Sequence, residues 1–179
     1  MKRSHSIAAD ESVVFSVRLV DDGAIPNNRL PLLVYRQALR LPDQDPASAI
    51  EELLDANGWG GHWRNGVYAY QHYHSTAHEV LAVFAGTATV QFGGNDGTTQ
   101  ELAPGDVVVI PAGVAHKNLD SSPEFRVVGA YPAGQDWDLC YGRSDERPMA
   151  DANIARVTLP SADPVYGPDG PLLKEWSVG

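Results

Sequence analysis

His72, His74, Glu79 and His116 are the residues of this chain whose types and spacing can do chemistry. Neutral imidazoles and a carboxylate form a donor set suited to one divalent transition metal per chain: Fe, Mn, Ni, Co or Zn. Three neutral imidazoles and one carboxylate leave such an ion with a net charge of about +1, and an octahedral Fe or Mn site keeps two positions open. Those positions can take a bidentate substrate, or a substrate oxygen and O2. That permits dioxygenation, or Lewis-acid assistance to isomerisation or epimerisation. The competing reading of the same residues is a polar cluster closed by its own hydrogen bonds.

The donors need rigid elements to bring them together. From Val67 to His74, Tyr68, Tyr70, His72 and His74 alternate with Val67, Ala69, Gln71 and Tyr73, the period of a strand. On a strand, residues two apart share a face, so His72 and His74 converge where a helix would spread them. Ser75 to Ala77 suits a turn, and Val80 to Ala85 reads as a neighbouring antiparallel strand that returns Glu79 beside the imidazoles. His116 follows the apolar run Val107 to Ile110 and the turn Pro111-Ala112-Gly113, so it opens a further strand. Tyr68 and Tyr70 share the histidine face and are weak candidates for a catalytic hydrogen-bond donor, although a small barrel also needs side chains to fill it. His78, next to Glu79, is turned away by alternation and reads as a surface or turn residue. His62 and His5 read as loop or solvated residues.

With those residues in place, the chain resembles the cupins. The first cupin motif is matched by Gly66, His72, His74, Glu79 and Gly86, and the second by Gly105, Pro111, Gly113 and His116. At the last position of the second motif Asp120 stands where Asn is usual, with Asn118 the nearest asparagine. Further stretches, among them Asn57-Gly58-Trp59-Gly60, Trp63-Arg64-Asn65-Gly66, Gly129-Ala130-Tyr131-Pro132 and Gly134 to Leu139, resemble a YjlB-like group of small bacterial cupins. The resemblance implies an all-β, double-stranded β-helix (jelly-roll) barrel, a metal held by His72, His74, Glu79 and His116, and a homodimer. It implies no particular reaction.

The remaining residues bound the rest. A chain of 179 residues is expected to form a single cupin domain: barrel core about 60–132, N-terminal extension 1–59, C-terminal tail 133–179. With 13 Lys plus Arg against 23 Asp plus Glu, the net charge of −10 argues against nucleic acid or an anionic membrane as partner and leaves a small molecule. One cysteine, Cys140, asks for no oxidising compartment and reads as a packed thiol. No signal-like segment and no run of roughly 18 apolar residues is visible, so the expectation is a cytoplasmic protein.

Along the chain, Phe15 to Leu19 and Leu32 to Tyr35 read as extra N-terminal strands. Asp45, Pro46 and Asn57-Gly58 bound one short helix with Ile50, Leu53 and Leu54 on its apolar stripe. Gly58 to Gly66 reads as a Trp-containing loop at the barrel mouth, and Ile154 to Leu159 as a strand-like run. Val80 to Ala85 and Val107 to Ile110 are apolar on both faces, so the N-terminal strands, the helix, the tail or a second subunit must cover them. Leu172, Leu173 and Trp176 read as anchors of a tail laid over the barrel. Trp59, Trp63, Trp137 and Trp176 are expected to pack, and Arg64 and Arg126 to form salt bridges. The metal reading points to oxidoreductase or isomerase chemistry on a small oxygen-bearing molecule; a non-catalytic binding barrel and a structural dimer with a vestigial site are the alternatives.

Overall fold

In a computed structural model, which describes residues 6–177, the strands form two antiparallel sheets. His5 lies outside the described residues. The strands are β1 Val13–Val17, β2 Leu32–Arg36, β3 Trp59–Asn65, β4 Glu79–Ala85, β5 Ala88–Phe92, β6 Thr98–Leu102, β7 Val107–Ile110, β8 His116–Ser121 and β9 Arg126–Pro132. One sheet has the order β1-β2-β7-β4-β9-β3 and the other β6-β5-β8. This is the jelly-roll architecture of a cupin, its two sheets facing each other across an apolar interior.

Alternation on the central strands builds two cores. Leu32, Val34, Leu81, Val83, Val108 and Val127 point inward and meet Val90 and Phe92 of the smaller sheet. Leu33, Tyr35, Val80, Ala82, Val107 and Val109 point outward and are buried as well. The outer face is covered by the chain itself: helix α1, Pro46–Ala56, contributes Ile50 and Leu54, and the C-terminal segment contributes Leu172 and Trp176. Double burial explains why these strands read as continuous apolar runs.

Helix α1 starts where Asp45 accepts the Ser48 N–H at 3.3 Å, with Pro46 at its first position, and it stops at Asn57. Two further short helices lie in the tail, α2 Met149–Arg156 and α3 Pro171–Glu175. Ile154 to Leu159 is therefore not a strand. Ile154 belongs to α2, whose Ala150, Ala152 and Ala155 favour helix, and the β-branched residues at 154, 157 and 158 gave a misleading β signal. The first strand also sits two residues earlier than its alternation indicates, at 13–17.

Gly58 to Gly66 is not a loop. Apart from its two end glycines it is β3, which pairs with β9 around a bulge between Gly60 and Trp63. The bulge absorbs the local Gly-Gly pair that made the stretch look irregular. Trp59 is fully buried in the outer core, and its indole N–H donates to the Ala162 carbonyl at 3.0 Å. No helix among the described residues is long and apolar enough to cross a membrane.

Candidate metal centre

The segment carrying His72 and His74 is not a regular strand. Its backbone bends at Ala69-Tyr70 and then makes two isolated bridges, His72 to His116 on one side and Tyr73 to Cys140 on the other. The His72 N–H donates to the His116 carbonyl at 3.3 Å and the His116 N–H returns to the His72 carbonyl at 2.9 Å. Two residues on, the His74 carbonyl accepts the Gly113 N–H at 2.7 Å. Alternation survives over these few residues, and both imidazoles turn into the barrel.

Glu79 arrives from elsewhere than expected. It opens β4 in the six-stranded sheet, paired with Ile110 of β7, whereas the histidine segment borders β8 of the smaller sheet. The carboxylate therefore faces the imidazoles across the barrel rather than from an adjacent strand. His116 starts β8 after a turn in which Gly113 has φ 90° and a Cβ would lie 2.5 Å from the Asn27 carbonyl oxygen. Only glycine suits that backbone and that space. Gly86 is constrained in the same way, with φ 64° and the Phe125 backbone nitrogen 2.4 Å from a built Cβ.

The four donors meet in the buried floor of a cavity. One ring nitrogen from each of His72, His74 and His116 lies within 4.8 Å of the others. Glu79 Oε2 stands 3.2 Å from Nε2 of both His74 and His116, and all four side chains are buried. Each histidine sets its other nitrogen against a backbone carbonyl: His72 Nδ1 against Tyr70 at 3.0 Å, His116 Nδ1 against Val114 at 3.3 Å, and His74 Nδ1 against Asp138. A ring whose Nδ1–H donates carries a lone pair on Nε2. The inner nitrogens are thus bases, and Glu79 Oε2 beside them is buried without a hydrogen-bond partner. Lone pairs crowded on one point are satisfied by a shared cation or by a proton held between an imidazole and the carboxylate.

The other carboxylate oxygen is engaged. Tyr131 O–H donates to Glu79 Oε1 at 3.4 Å and accepts the Trp63 indole N–H at 2.8 Å. Burial pushes the Tyr131 hydroxyl up, and Glu79 adds to it. Burial and neighbouring His116 push His72 down to about 3, so it is neutral in ordinary buffers. Burial also opposes charge on His74, but the adjacent Glu79 carboxylate outweighs it and raises its pKa. For Glu79 burial favours the acid form, yet His74 and His116 hold it below the usual carboxylate range.

His78 does face away from Glu79, but it is not at the surface. It is 1% exposed, lies under the Trp176 ring at 4.8 Å, and accepts the Ala112 N–H on Nδ1 at 2.9 Å. Because the tail covers the outer face of β4, a residue turned out of the barrel is still buried. His62 pairs with Asp55 at 2.7 Å, Arg64 with Glu51, and Arg126 donates to the Pro123 and Phe125 carbonyls rather than to an acid. Cys140 is a buried free thiol pushed up to about 11 by burial and by Asp138.

Above the donors the cavity has a volume of about 330 Å³ and is walled by Trp63, Val67, Tyr68, Leu81, Trp137 and Leu139. Tyr68 lines it, whereas Tyr70 stacks on Tyr68 from the outer side. Trp137 does not pack in a core: it is 53% exposed and meets the His74 ring edge-on at 5.5 Å. Asp138 and Tyr131, which orient His74 and Glu79, were not singled out by residue type. They lie in Gly134 to Leu139 and Gly129 to Pro132, stretches that carried the family resemblance.

The cupin domain family matches residues 63–127. The chain is 44% identical over 157 residues to the uncharacterized protein YjlB of Bacillus subtilis (strain 168), a match covering 87% of this chain and 92% of that protein. Among solved structures, similarity extends to acireductone dioxygenase from Bacillus anthracis with a cadmium ion in its active centre, at 20% identity and TM-score 0.39, over 53% of this chain and 64% of that one, just under two thirds of its length. It extends also to an uncharacterized conserved protein with a double-stranded β-helix domain from Klebsiella pneumoniae, at 17% identity and TM-score 0.35, over 73% and 85% of the two chains.

Proposed function

This chain belongs to the cupin family, in the group that includes YjlB, and on that footing we propose that His72, His74, Glu79 and His116 hold one divalent transition metal for dioxygenase-type chemistry on a small oxygen-bearing molecule. The observation that carries the reading is the wiring of the floor. Three Nδ1 atoms face carbonyls, and Glu79 Oε2, without a hydrogen-bond partner of good geometry, lies 3.2 Å from the inward Nε2 of both His74 and His116. A divalent ion bound there supplies Lewis-acid polarisation and, if redox-active, a place for O2.

The residues around it orient and exclude. Asp138 and Val114 carbonyls hold the rings of His74 and His116, and Tyr131 occupies one carboxylate oxygen so that the other faces the imidazoles. Val67, Leu81 and Leu139 keep the cavity apolar above them. Isomerisation by proton transfer needs a separate base, and among the described lining residues no carboxylate or imidazole is left over after the four donors. That favours oxygen chemistry over isomerisation. Tyr68 at the mouth remains available as a hydrogen-bond donor to substrate.

The test is metal counting on protein purified without chelator or nickel resin, with His74→Ala and His116→Ala alongside. Near-stoichiometric metal in the parent and loss from both variants is the expected result. Full stoichiometry in both variants would sink the ligand assignment. Anaerobic loading with Fe(II) or Mn(II), followed by O2 uptake against small diols, thiols and keto acids, then separates dioxygenation from simple binding.

A further inference from the structure

The rings at the cavity mouth stand out into solvent. Tyr68 is 50% exposed, Tyr70 43% and Trp137 53%, and Tyr141 beside them is also exposed. Exposed aromatic clusters of this kind mark binding surfaces. They form two sides. Tyr68 and Tyr70 stack at 4.8 Å, and both rings lean on His72, at 5.3 and 5.5 Å. Opposite, Trp137 and Tyr131 lie nearly parallel, 20° apart at 6.3 Å, and both meet His74 edge-on. The imidazole floor lies between these aromatic pairs.

Charge in the cavity is sparse. Arg64 is the only Lys or Arg lining it among the described residues, and Glu51 holds its guanidinium at 2.7 and 2.8 Å. A phosphate or polycarboxylate finds no free fork of donors there. A polyol fares no better, because Val67, Leu81 and Leu139 cannot replace the hydrogen bonds it would lose. A volume of about 330 Å³ lies at the low end for ligand pockets, room for one small ring system.

We propose that the site takes a flat, neutral or singly charged ring compound bearing two adjacent oxygens, of the catechol type, with the ring between the Tyr68 and Trp137 sides and the oxygens toward the imidazole floor. The proposal rests on the metal reading above. Trp137 is its specificity-determining residue: like Tyr68 it combines exposure, cavity lining and contact with a donor ring, and its indole offers the larger face.

The test uses zinc-loaded full-length protein, so binding rather than turnover is read. Zinc per chain is counted first, and 4-nitrocatechol is then titrated by its absorption shift and by tryptophan fluorescence. Acetohydroxamate, a two-oxygen chelator without a ring, and 2-phosphoglycolate are the comparators. Trp137→Ala is expected to weaken 4-nitrocatechol roughly tenfold, to change acetohydroxamate by less than about twofold, and to keep its zinc, while Trp137→Phe stays near the parent. Equal effects of Trp137→Ala on both chelators, no effect on 4-nitrocatechol, or tighter binding of 2-phosphoglycolate than of 4-nitrocatechol overturns this proposal alone. Failure of the parent to bind zinc overturns the metal reading and this proposal with it.

Discussion

Four buried histidines divide between the two faces of the barrel wall, and their rings are wired in opposite senses. Inside, His72, His74 and His116 direct Nδ1 at carbonyls and leave Nε2 as an inward lone pair. Outside, His78 receives the Ala112 N–H on Nδ1, so its proton sits on Nε2, turned toward the Thr158 carbonyl without reaching hydrogen-bond geometry. His78 and Glu79 are neighbours, sent to opposite faces by strand alternation. Residue type and burial are the same on both faces. What separates the two faces is what the backbone presents to Nδ1, a carbonyl inside and an N–H outside, which decides whether Nε2 carries a lone pair or a proton.

The comparison breaks most visibly on the outer face. Trp176 is 2% exposed, donates its indole N–H to the Pro31 carbonyl at 2.9 Å, and covers His78. Trp176→Ala is expected to cost about 3–5 kcal/mol of unfolding free energy in urea, with metal per folded chain unchanged. Loss of metal at full foldedness would show that the two faces are not independent.

His78 itself gives the next effect, through pH. Burial pushes it down to about 4, against about 6.5 in the unfolded chain. Between those values the unfolded state takes a proton that the folded state refuses. Stability is therefore complete above about pH 6.5 and falls as pH drops toward 4, by on the order of 2–3 kcal/mol. Asn at 78 retains an acceptor for the Ala112 N–H and does not titrate. Urea unfolding of the metal-free proteins at neutral and acidic pH should show the parent losing more stability than His78→Asn. Equal losses would mean that burial does not suppress the charge on this ring.

The inner face was the more legible in the sequence. His-x-His, the following Glu and a histidine after Pro-x-Gly are demanded by ligand chemistry and turn geometry, so residue types at fixed spacings reveal them. The jelly roll followed from the resemblance those motifs carry, and helix α1 from its capping residues and apolar stripe. The outer face was obscured by its own logic: with the tail covering β4, an outward His78 is buried, and nothing local to residue 78 records a tryptophan 98 positions later. Orientation by a backbone carbonyl is equally silent, since any residue has one. Asp138 therefore carried no chemical signature, and the Gly-rich start of β3 concealed a bulged strand.

Asp138 offers the finest test of the wiring. Its carbonyl faces His74 Nδ1, while its carboxylate accepts the Ser75 N–H at 2.6 Å and the Ser75 hydroxyl. Burial opposes charge on that carboxylate, but the bonds from Ser75 outweigh it and hold it ionised. Asp138→Ala removes the anchor and not the carbonyl, so the ring loses its fixed orientation while the neighbouring Tyr73 to Cys140 pairing, at 2.9 Å in both directions, keeps the segment in place. Zinc affinity, read by competition with a chromophoric chelator, is expected to fall about 10- to 100-fold, the usual effect of releasing a ligand's outer partner. Asp138→Asn retains an oxygen for the Ser75 N–H and should recover most of it. Unchanged affinity in Asp138→Ala would place the orientation of His74 in the Gly113 contact to its backbone instead, and would reduce the contrast between the two faces to the lone pairs alone.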